Sequence, residues 1–385
     1  MKDIQYSYHI KNGHVIDPLR GIDKVEDIFI NGSKIVDAPD GTTGEVSREI
    51  DAEDCLVLPG LIDFHTHLNR GHSDFGIHPD LMTMPNGITS AVDAGSSGSA
   101  NFEGFYKDVV CASELTIKSF VNISPVGVIT ERHVEEPDPA YYDIPRLSYL
   151  FERYSQEILG LKVRIGKNFS KQFGLTTLRK TKELAEELGT VMCVHAVEPE
   201  NPYNEIISGF GKGDILCHCF QGKGDYNILD ENGKVATYIW EARDRGVIFD
   251  AAAGRANYRF EVIRKALADG FLPDVISTDV VAETIYDPRV FTLLYTMSAY
   301  IAMGMPLNEI VRAVTATPAR LMNMEGIIGT LRPGALADVV ILKIREKPFV
   351  FSDSFGTKIP ATQLLVPQMT IKAGRTAYMK IDFAF

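Results

Sequence analysis

The stretch LPGLIDFHTHLNRG, residues 58–71, places two histidines one residue apart at the end of an apolar run. Side chains alternate between the two faces of a strand, so His65 and His67 point to the same side, together with Leu61 and Asp63. Two imidazoles on one face of a strand can bind the same metal ion. A hydrogen-bonded pair of histidines without a metal is the alternative, and the rest of the chain decides between the two.

Length, composition and charge describe an ordinary globular chain. Its 385 residues suit a domain of roughly 250 to 300 residues together with a smaller one. The formal net charge of -12 argues against a broad nucleic-acid surface, which needs clustered Lys and Arg. The opening residues MKDIQYSYHIKNGHVID read as a strand and a turn. We therefore expect no signal peptide, no membrane span and a cytoplasmic location.

The cysteines are five in number and show no disulfide-framework spacing, which fits a reducing compartment. Cys217, His218 and Cys219 are consecutive and of the types that bind metals. In a strand, however, the two cysteines would face away from the side of His218, so the three would not bind one ion together. We interpret the cysteines as packing residues.

Both ends of the chain consist of short β-type runs. Near the start, SYHIKNGHVID and DIFINGSKIVDA are punctuated by the turn signals NG and DG, and similar runs return near the end in ADVVILKI, QMTIKAGR and TAYMKIDF. The pattern predicts one small β-sandwich domain built from both termini, residues 1–57 and 330–385.

The middle of the chain, residues 58–329, alternates apolar β-type runs with helical segments. The runs are CLVLPGLIDFHTH, GITSAVDAG, TIKSFVNIS, LGLKVRI, TVMCVHA, DILCHCF, GVIFDAA and PDVISTD. Helical periodicity is clearest in LTTLRKTKELAEELG and RFEVIRKALADGF, where a Gly ends each helix. Eight such units predict a catalytic (β/α)8 TIM barrel. A doubly wound open sheet is the alternative, but it would more often carry a glycine-rich dinucleotide loop, which the sequence lacks.

Polar residues that suit a catalytic centre stand at the carboxyl ends of these runs, where such barrels place their catalytic side chains. They are His65, His67, Lys162, His195, His218 and Asp279. Each alone has an ordinary structural explanation, such as a hydrogen-bonded core histidine or a helix cap. Six together on one rim predict a bound ligand, because burying them without one would leave unpaired charge.

Several segments carry a family likeness that covers nearly the whole chain. They are PGLIDFHTH (59–67), VDAGSSG (92–98), FVNIS (120–124), GLKVR (160–164), VHA (194–196), CHCFQGKG (217–224), FLPDVISTD (271–279), and ATPARLMN and GTLRPGALADVVIL near the end. With these segments in this order, the chain resembles the amidohydrolase superfamily of metal-dependent hydrolases, in its deacetylase and dihydroorotase-like branch.

The resemblance implies two divalent metal ions as cofactors. His65, His67 and Asp279 would hold the more buried ion, and His195 and His218 the more exposed one. Lys162, carboxylated by CO2 to a carbamate, would bridge them, because an anion can span two cations that a bare ammonium would repel. Mixed nitrogen and oxygen ligands suit Zn2+ best, although Mn2+, Fe2+ and Co2+ tolerate them.

The resemblance also implies a reaction. A hydroxide between the two metals would attack a polarised carbonyl, with Asp279 as general base and then general acid. Asp63, on the same face as His65, is a candidate for orienting it, and a buried hydrogen-bonded residue of purely structural role is the equal alternative.

The segments expected to contact the substrate differ from those of the relatives. The relatives often carry a GHG-like turn after strand seven and a His after the strand-eight aspartate. Here residues 251–258 read AAAGRANY, and Asp279 is followed by Val280. The predicted substrate contacts are Arg255 and Arg164, because a guanidinium pairs with a carboxylate through two hydrogen bonds, and Tyr258, which would add a hydroxyl contact. We therefore expect a small acylated amino or hydroxy acid as the substrate.

Three alternatives to acyl hydrolysis stay open. One is cyclic amide hydrolysis of the dihydroorotase or hydantoinase type, another is deamination of a purine-like base such as adenine, and the remote one is a catalytically silent scaffold. A homo-oligomer is a further expectation, because the runs VFTLLYTMSAYIAMGMP and PFVF offer apolar surface. Core packing of both runs is the equal alternative.

Overall fold

The histidine-bearing run forms the first strand of a parallel barrel. The computed structural model describes residues 6–38, 46–130, 132–288 and 290–383, without the side chains of residues 82–84 and 171. The strands are, in chain order, β1 (Tyr8–Lys11), β2 (His14–Asp17), β3 (Ile22–Val25), β4 (Ile28–Asn31), β5 (Lys34–Val36), β6 (Glu49–Asp51), β7 (Leu56–Pro59), β8 (Leu61–Thr66), β9 (Ile88–Gly98), β10 (Thr116–Asn122), β11 (Ile158–Ile165), β12 (Val191–Ala196), β13 (Ile215–Cys217), β14 (Ile248–Asp250), β15 (Val339–Ser352), β16 (Lys358–Lys372) and β17 (Arg375–Met379).

The helices cover the outside of the barrel and follow its strands in turn. The α-helices are α1 (Asp80–Asn86), α2 (Phe102–Phe105), α3 (Ile144–Arg153), α4 (Leu175–Glu187), α5 (Tyr203–Ile207), α6 (Thr237–Asp244), α7 (Phe260–Ala268), α8 (Leu293–Ala302), α9 (Leu307–Val314) and α10 (Ala316–Leu321). A π-helical turn at Tyr106–Val110 and short 3-10 helices at Pro139–Tyr141, Lys171–Phe173 and Ile381–Phe383 complete the helical segments of the described residues.

The barrel is built from a seven-stranded parallel sheet in the order β14-β13-β12-β11-β10-β9-β8. Residues 275–280 close it: Val275 bridges in parallel to Asp250 at the end of β14, and Val280 bridges in parallel to Thr66 at the end of β8. Each of these eight segments is followed by a helix, α1 to α8 in order. The predicted (β/α)8 barrel is confirmed.

Burial explains why these runs form barrel strands. Every residue of β8 and β9 is buried, as a strand covered on both faces requires. Helix α4 shows the complementary pattern, with Leu178, Thr181 and Leu184 buried on one face at helical spacing. Beyond its last turn, Gly189 takes a positive φ of 64°, which a glycine adopts without a steric penalty.

The two ends of the chain form two further sheets, and one of them contains strands from both ends. One has the order β5-β4-β1-β6, and the other has the order β17-β16-β15-β7-β2-β3, so the latter combines strands from both termini. Residues of the two sheets, such as Ile30 and Ile341, share one buried apolar cluster. The predicted small sandwich from both termini therefore agrees with the fold. Its boundaries at 57/58 and 329/330 stay a prediction.

The two apolar runs that suggested an oligomer are partly buried within the chain itself. Helix α8 packs on β16, where the backbone N–H of Leu365 donates to Ser298 Oγ at 3.0 Å. Phe351 is fully buried, and its ring centroid lies 4.7 Å from that of Tyr295. Val350, by contrast, is 55% exposed. Among the described residues, the helices are too short or too polar to cross a lipid bilayer.

A buried ion pair within the terminal domain also contacts the barrel. Lys372 Nζ, at the end of β16, lies 2.8 Å from Asp338 Oδ2 and donates to Thr116 Oγ1 of β10 at 2.8 Å. The side chains of Lys372 and Asp338 are only 8% and 1% exposed. Asp338 also accepts from the backbone N–H of Ala373.

We expect Lys372→Met to lower the free energy of unfolding in urea by about 3 kcal/mol, because it leaves the Asp338 carboxylate buried without its partner. The control is Lys380→Met, which removes the same charge from an exposed pair with Asp382 and should cost less than about 1 kcal/mol. Equal losses in the two variants would show that the buried pair has no special role.

Candidate metal centre

A cavity of about 330 Å³ opens at the carboxyl ends of the barrel strands, large enough for a small molecule. Five of the six strand-end residues line it, namely His65, His67, Lys162, His195 and Asp279. His218 is fully buried immediately behind this lining, with ring centroids 4.5 Å from His195 and 5.1 Å from His65. The structure thus brings all six strand-end residues together.

Asp279 is the centre of this group. Its Oδ1 lies 3.4 Å from His67 Nε2 and 3.6 Å from His65 Nε2, and its Oδ2 lies 4.0 Å from His218 Nε2. Burial opposes the charge of this carboxyl, but the hydrogen bond with His67 and the other nearby imidazoles hold its pKa below the usual range. Asp279 is therefore ionised at neutral pH.

Three of the histidines are held by a second polar group on the Nδ1 side of the ring. His65 Nδ1 lies 2.9 Å from Asp250 Oδ2, and His218 Nδ1 lies 2.7 Å from the carbonyl oxygen of Ala252. His67 Nδ1 lies 2.8 Å from Ser96 Oγ. Because a carboxylate and a carbonyl can only accept, His65 and His218 carry their proton on Nδ1, which leaves Nε2 free to bind a metal.

The Nε2 atoms of His195 and His218 are buried and have no hydrogen-bond partner among the described residues. Burial lowers the pKa of His218 to about 3 and holds that of His195 well below its ordinary value, so both rings are neutral at pH 7. A neutral imidazole with an unpartnered buried nitrogen is the form that a metal ion requires. Ligand atoms of His65, His67 and Asp279 also lie within 4.8 Å of one another. These residues fit a divalent metal centre.

Lys162 rises from the barrel floor toward this group. Its Nζ is buried, 3.4 Å from His65 Nε2 and 3.7 Å from the Sγ atoms of both Cys193 and Cys217. The interpretation of the cysteines as packing residues is incomplete, because Cys217 faces the centre on the same side as His218. The reason is the backbone of His218, whose positive φ of 57° ends the strand alternation on which that interpretation depended.

Asp63 is buried, but its contacts differ from the expected one with the His65 ring. Its carboxylate accepts from the backbone N–H of Thr278 at 3.0 Å and from Thr278 Oγ1 at 2.6 Å. Burial raises the pKa of Asp63 to about 7 against these hydrogen bonds. Asp63 therefore fixes the segment that carries Asp279, while Asp250 occupies the position beside the His65 ring.

The three predicted substrate contacts have different surroundings. Arg164 lines the cavity, where it pairs with Glu135 at 3.3 Å and lies over the Phe169 ring. Arg255 also lines the cavity, and its Nη1 lies 2.5 Å from Glu283 Oε2. Tyr258 lies away from the cavity, only 7% exposed and packed beside Phe260. The structure does not bring Tyr258 to the predicted substrate position.

Two residues of this centre were missed from the sequence. Asp250 stands at the end of the run GVIFDAA, so the strand-end rule that found the other residues would have found it too. Lys223, in the segment CHCFQGKG, lines the cavity mouth. A lysine in a loop carries no periodic signal, and only the folded chain shows where it lies.

The barrel carries His-x-His on its first strand, histidines at the ends of its fifth and sixth strands and a carboxylate in its eighth. This ligand set fits the metal centre of a hydrolase. The sequence model described as "Amidohydrolase family" matches residues 56–376, and this chain belongs to that family.

Relatives of this chain within the family carry several different names. A deacetylase from Agrobacterium fabrum is 31% identical over 326 residues, covering 84% of this chain and 79% of that protein. A crystal structure described as an adenine deaminase superposes with a TM-score of 0.87 at 28% identity, covering 96% and 99% of the two chains. One described as a dihydroorotase gives 0.83 at 29% identity, covering 96% and 97%.

We expect Asp250→Asn to weaken Zn2+ binding by about 10- to 100-fold, because the His65 ring loses the carboxylate that orients it and increases its basicity. Competition with a chromogenic chelator measures this affinity. The matched control is Asp274→Asn, which alters a carboxylate that accepts from the backbone of Phe249 instead of a histidine. An unchanged affinity in Asp250→Asn, or an equal loss in the control, would contradict the role assigned to Asp250.

Proposed function

We propose that this chain is a binuclear metal-dependent hydrolase that cleaves the N-acyl or O-acyl bond of a small acylated amino or hydroxy acid. The observation that supports it most strongly is the convergence of four histidines, Asp279 and Lys162 on one cavity, with two imidazole nitrogens that have no partner among the described residues. The 31% identity to a named deacetylase supports acyl hydrolysis.

In this proposal, His65, His67 and Asp279 would hold one divalent ion, and His195 and His218 would hold the other. Lys162, carboxylated by CO2, would supply an anionic ligand that both ions share. The position of Lys162 supports this assignment, since its Nζ lies among the histidines on the floor of the cavity. Zn2+ suits these ligands best, and Mn2+, Fe2+ and Co2+ are the alternatives.

When bound, such ions lower the pKa of a water molecule and polarise the carbonyl to be attacked. Asp279 accepts the proton of the attacking water, because its carboxylate is ionised and faces the cavity. It then delivers that proton to the leaving nitrogen or oxygen. Asn257 Nδ2, 3.2 Å from Asp279 Oδ2, orients the carboxylate for both transfers.

The competing reactions have less support. The structures described as an adenine deaminase and a dihydroorotase resemble this chain in fold and at 28% and 29% identity, so deamination and ring opening are the second candidates. Besides Lys162, three cationic side chains line the cavity, namely Arg164, Lys223 and Arg255. Of these, Lys223 forms no ion pair with a described residue and favours an anionic substrate over neutral adenine. A silent scaffold would not need all six of the residues that fit a metal centre.

We also propose a cytoplasmic location and assembly into a homo-oligomer. The five unpaired thiols support the former, since secreted proteins tend to form disulfides. An apolar groove lined by Ile301, Phe349, Val350 and Ala361, between α8 and the hairpin of β15 and β16, supports the latter. No partner beyond a small-molecule substrate is proposed.

A substrate panel tests the function. N-acetyl amino acids and O-acetyl hydroxy acids should be hydrolysed with kcat/KM of about 10⁴ M⁻¹ s⁻¹ or more for the best of them. A chelator should abolish this activity, and added Zn2+ should restore it. Faster turnover of dihydroorotate, a hydantoin or adenine would replace this proposal with the second candidates, and no turnover by fully metallated protein would favour the scaffold.

Metal content and the role of Lys162 are tested together. The wild-type chain should contain close to two divalent ions, measured by plasma emission spectrometry. Lys162→Ala should lose metal and reduce kcat/KM by about 10³-fold or more, because the bridging anion is absent. A small carboxylic acid such as propionate should restore part of both by replacing the carbamate. Full activity with one ion, or with an unmodified Lys162, would overturn the binuclear centre.

A further inference from the structure

The cations that line the cavity differ in how they are neutralised. Arg164 faces Glu135 at 3.3 Å, and Arg255 faces Glu283 at 2.5 Å. The negative charge of a paired carboxylate offsets part of the positive charge that the guanidinium presents to a second carboxylate. The two arginines predicted to bind a substrate carboxylate are thus both engaged by the protein's own acids.

Apart from Lys162 in the proposed metal centre, Lys223 is the one cavity-lining lysine or arginine of the described residues that forms no ion pair. It is partly buried at the cavity and makes no ion pair with any described residue. Its acidic neighbour Glu198 lies 3.9 Å from Lys167 Nζ. Burial lowers the pKa of Lys223 against the opposing effect of Glu198, as expected for a cation removed from water without a close partner.

The backbone holds Lys223 in a fixed relation to the metal centre. The backbone N–H of Lys223 donates to Gln221 Oε1 at 2.8 Å, and the backbone N–H of Gln221 donates to the carbonyl of His218 at 2.8 Å. Gln221 is itself fully buried, and its Nε2 donates to the carbonyl of Tyr226. The loop that carries the ammonium is therefore anchored directly to one of the proposed metal ligands.

We propose that the Lys223 ammonium binds the carboxylate of the acylated acid, in place of the predicted Arg255. This inference rests on the proposed function and specifies its substrate as an acid whose carboxylate lies near the acyl group. A lysine contributes a point charge without the planar fork of an arginine, so it selects for negative charge more than for carboxylate geometry.

The test compares each acid with its neutral amide. Lys223→Met should raise KM for an N-acetyl or O-acetyl acid by about tenfold or more, while KM for the corresponding primary amide changes less than about twofold. The inhibition constant of the deacylated acid should rise by the same factor as KM. Lys223→Arg should recover part of the loss, because the positive charge is retained.

The matched control is Lys167→Met, which removes the same charge beside the same Glu198 from a side chain that is 67% exposed and lies outside the cavity lining. It should leave both KM values within about twofold of wild type. Metal content and circular dichroism verify that each variant is folded, and Lys223→Gln serves as a second variant if Lys223→Met is not.

The outcomes separate this inference from the proposed function. Hydrolysis of acyl acids by the wild type, with equal losses for acid and amide in the Lys223 variants, would overturn the role of Lys223 and leave acyl hydrolysis intact. An acid-selective loss in Arg255→Ala and not in Lys223→Met would also overturn it, in favour of Arg255. Failure of the wild type to hydrolyse any acyl acid would refute the proposed function, and the assignment of Lys223 with it.

Discussion

The buried carboxylate of Asp279 is the constraint on which the carboxyl end of this barrel depends. An ionised group with little access to water must be compensated by charge or hydrogen bonds from neighbouring groups, and here two strand ends supply three imidazoles around it. Asp279 and His218 both have positive φ values, which are uncommon for non-glycine residues and cost free energy. Asp63 holds the neighbouring Thr278 through two hydrogen bonds, so a second buried acid stabilises the strained segment.

Around this centre, a second group of polar atoms fixes the ring orientation of three of the four histidines. Asp250, Ser96 and the carbonyl of Ala252 each contact an Nδ1 atom. Ser96 in turn donates to Asp93, whose other oxygen accepts from two backbone N–H groups. The rings are therefore fixed before any ligand arrives, so little conformational entropy is lost when one binds. This preorganisation separates the centre from a chance cluster of polar residues.

The sequence predicted the barrel and the six strand-end residues, because strand periodicity and the position of strand ends are local properties of the chain. It failed where tertiary structure decides. The positive φ of His218 turns Cys217 toward the centre, and the pairing of Arg255 with Glu283 joins residues on different loops. Tyr258 has the same residue type whether it faces a cavity or a core, and only the packing of α7 and α8 buries it. Asp250 also stands at the end of a barrel strand, so the same rule predicts it as a site residue.

The interleaving of the two chain ends has a consequence for how the protein is made. Pro59 at the end of β7 pairs with Val339, so a strand translated early must wait for one translated near the end. Contacts of such high sequence separation slow folding, and an unpaired strand edge is a template for aggregation. A nascent chain stopped before residue 339 carries every barrel strand yet leaves one side of β7 open. All barrel strands can thus be synthesised before the terminal sheet has received its last three strands.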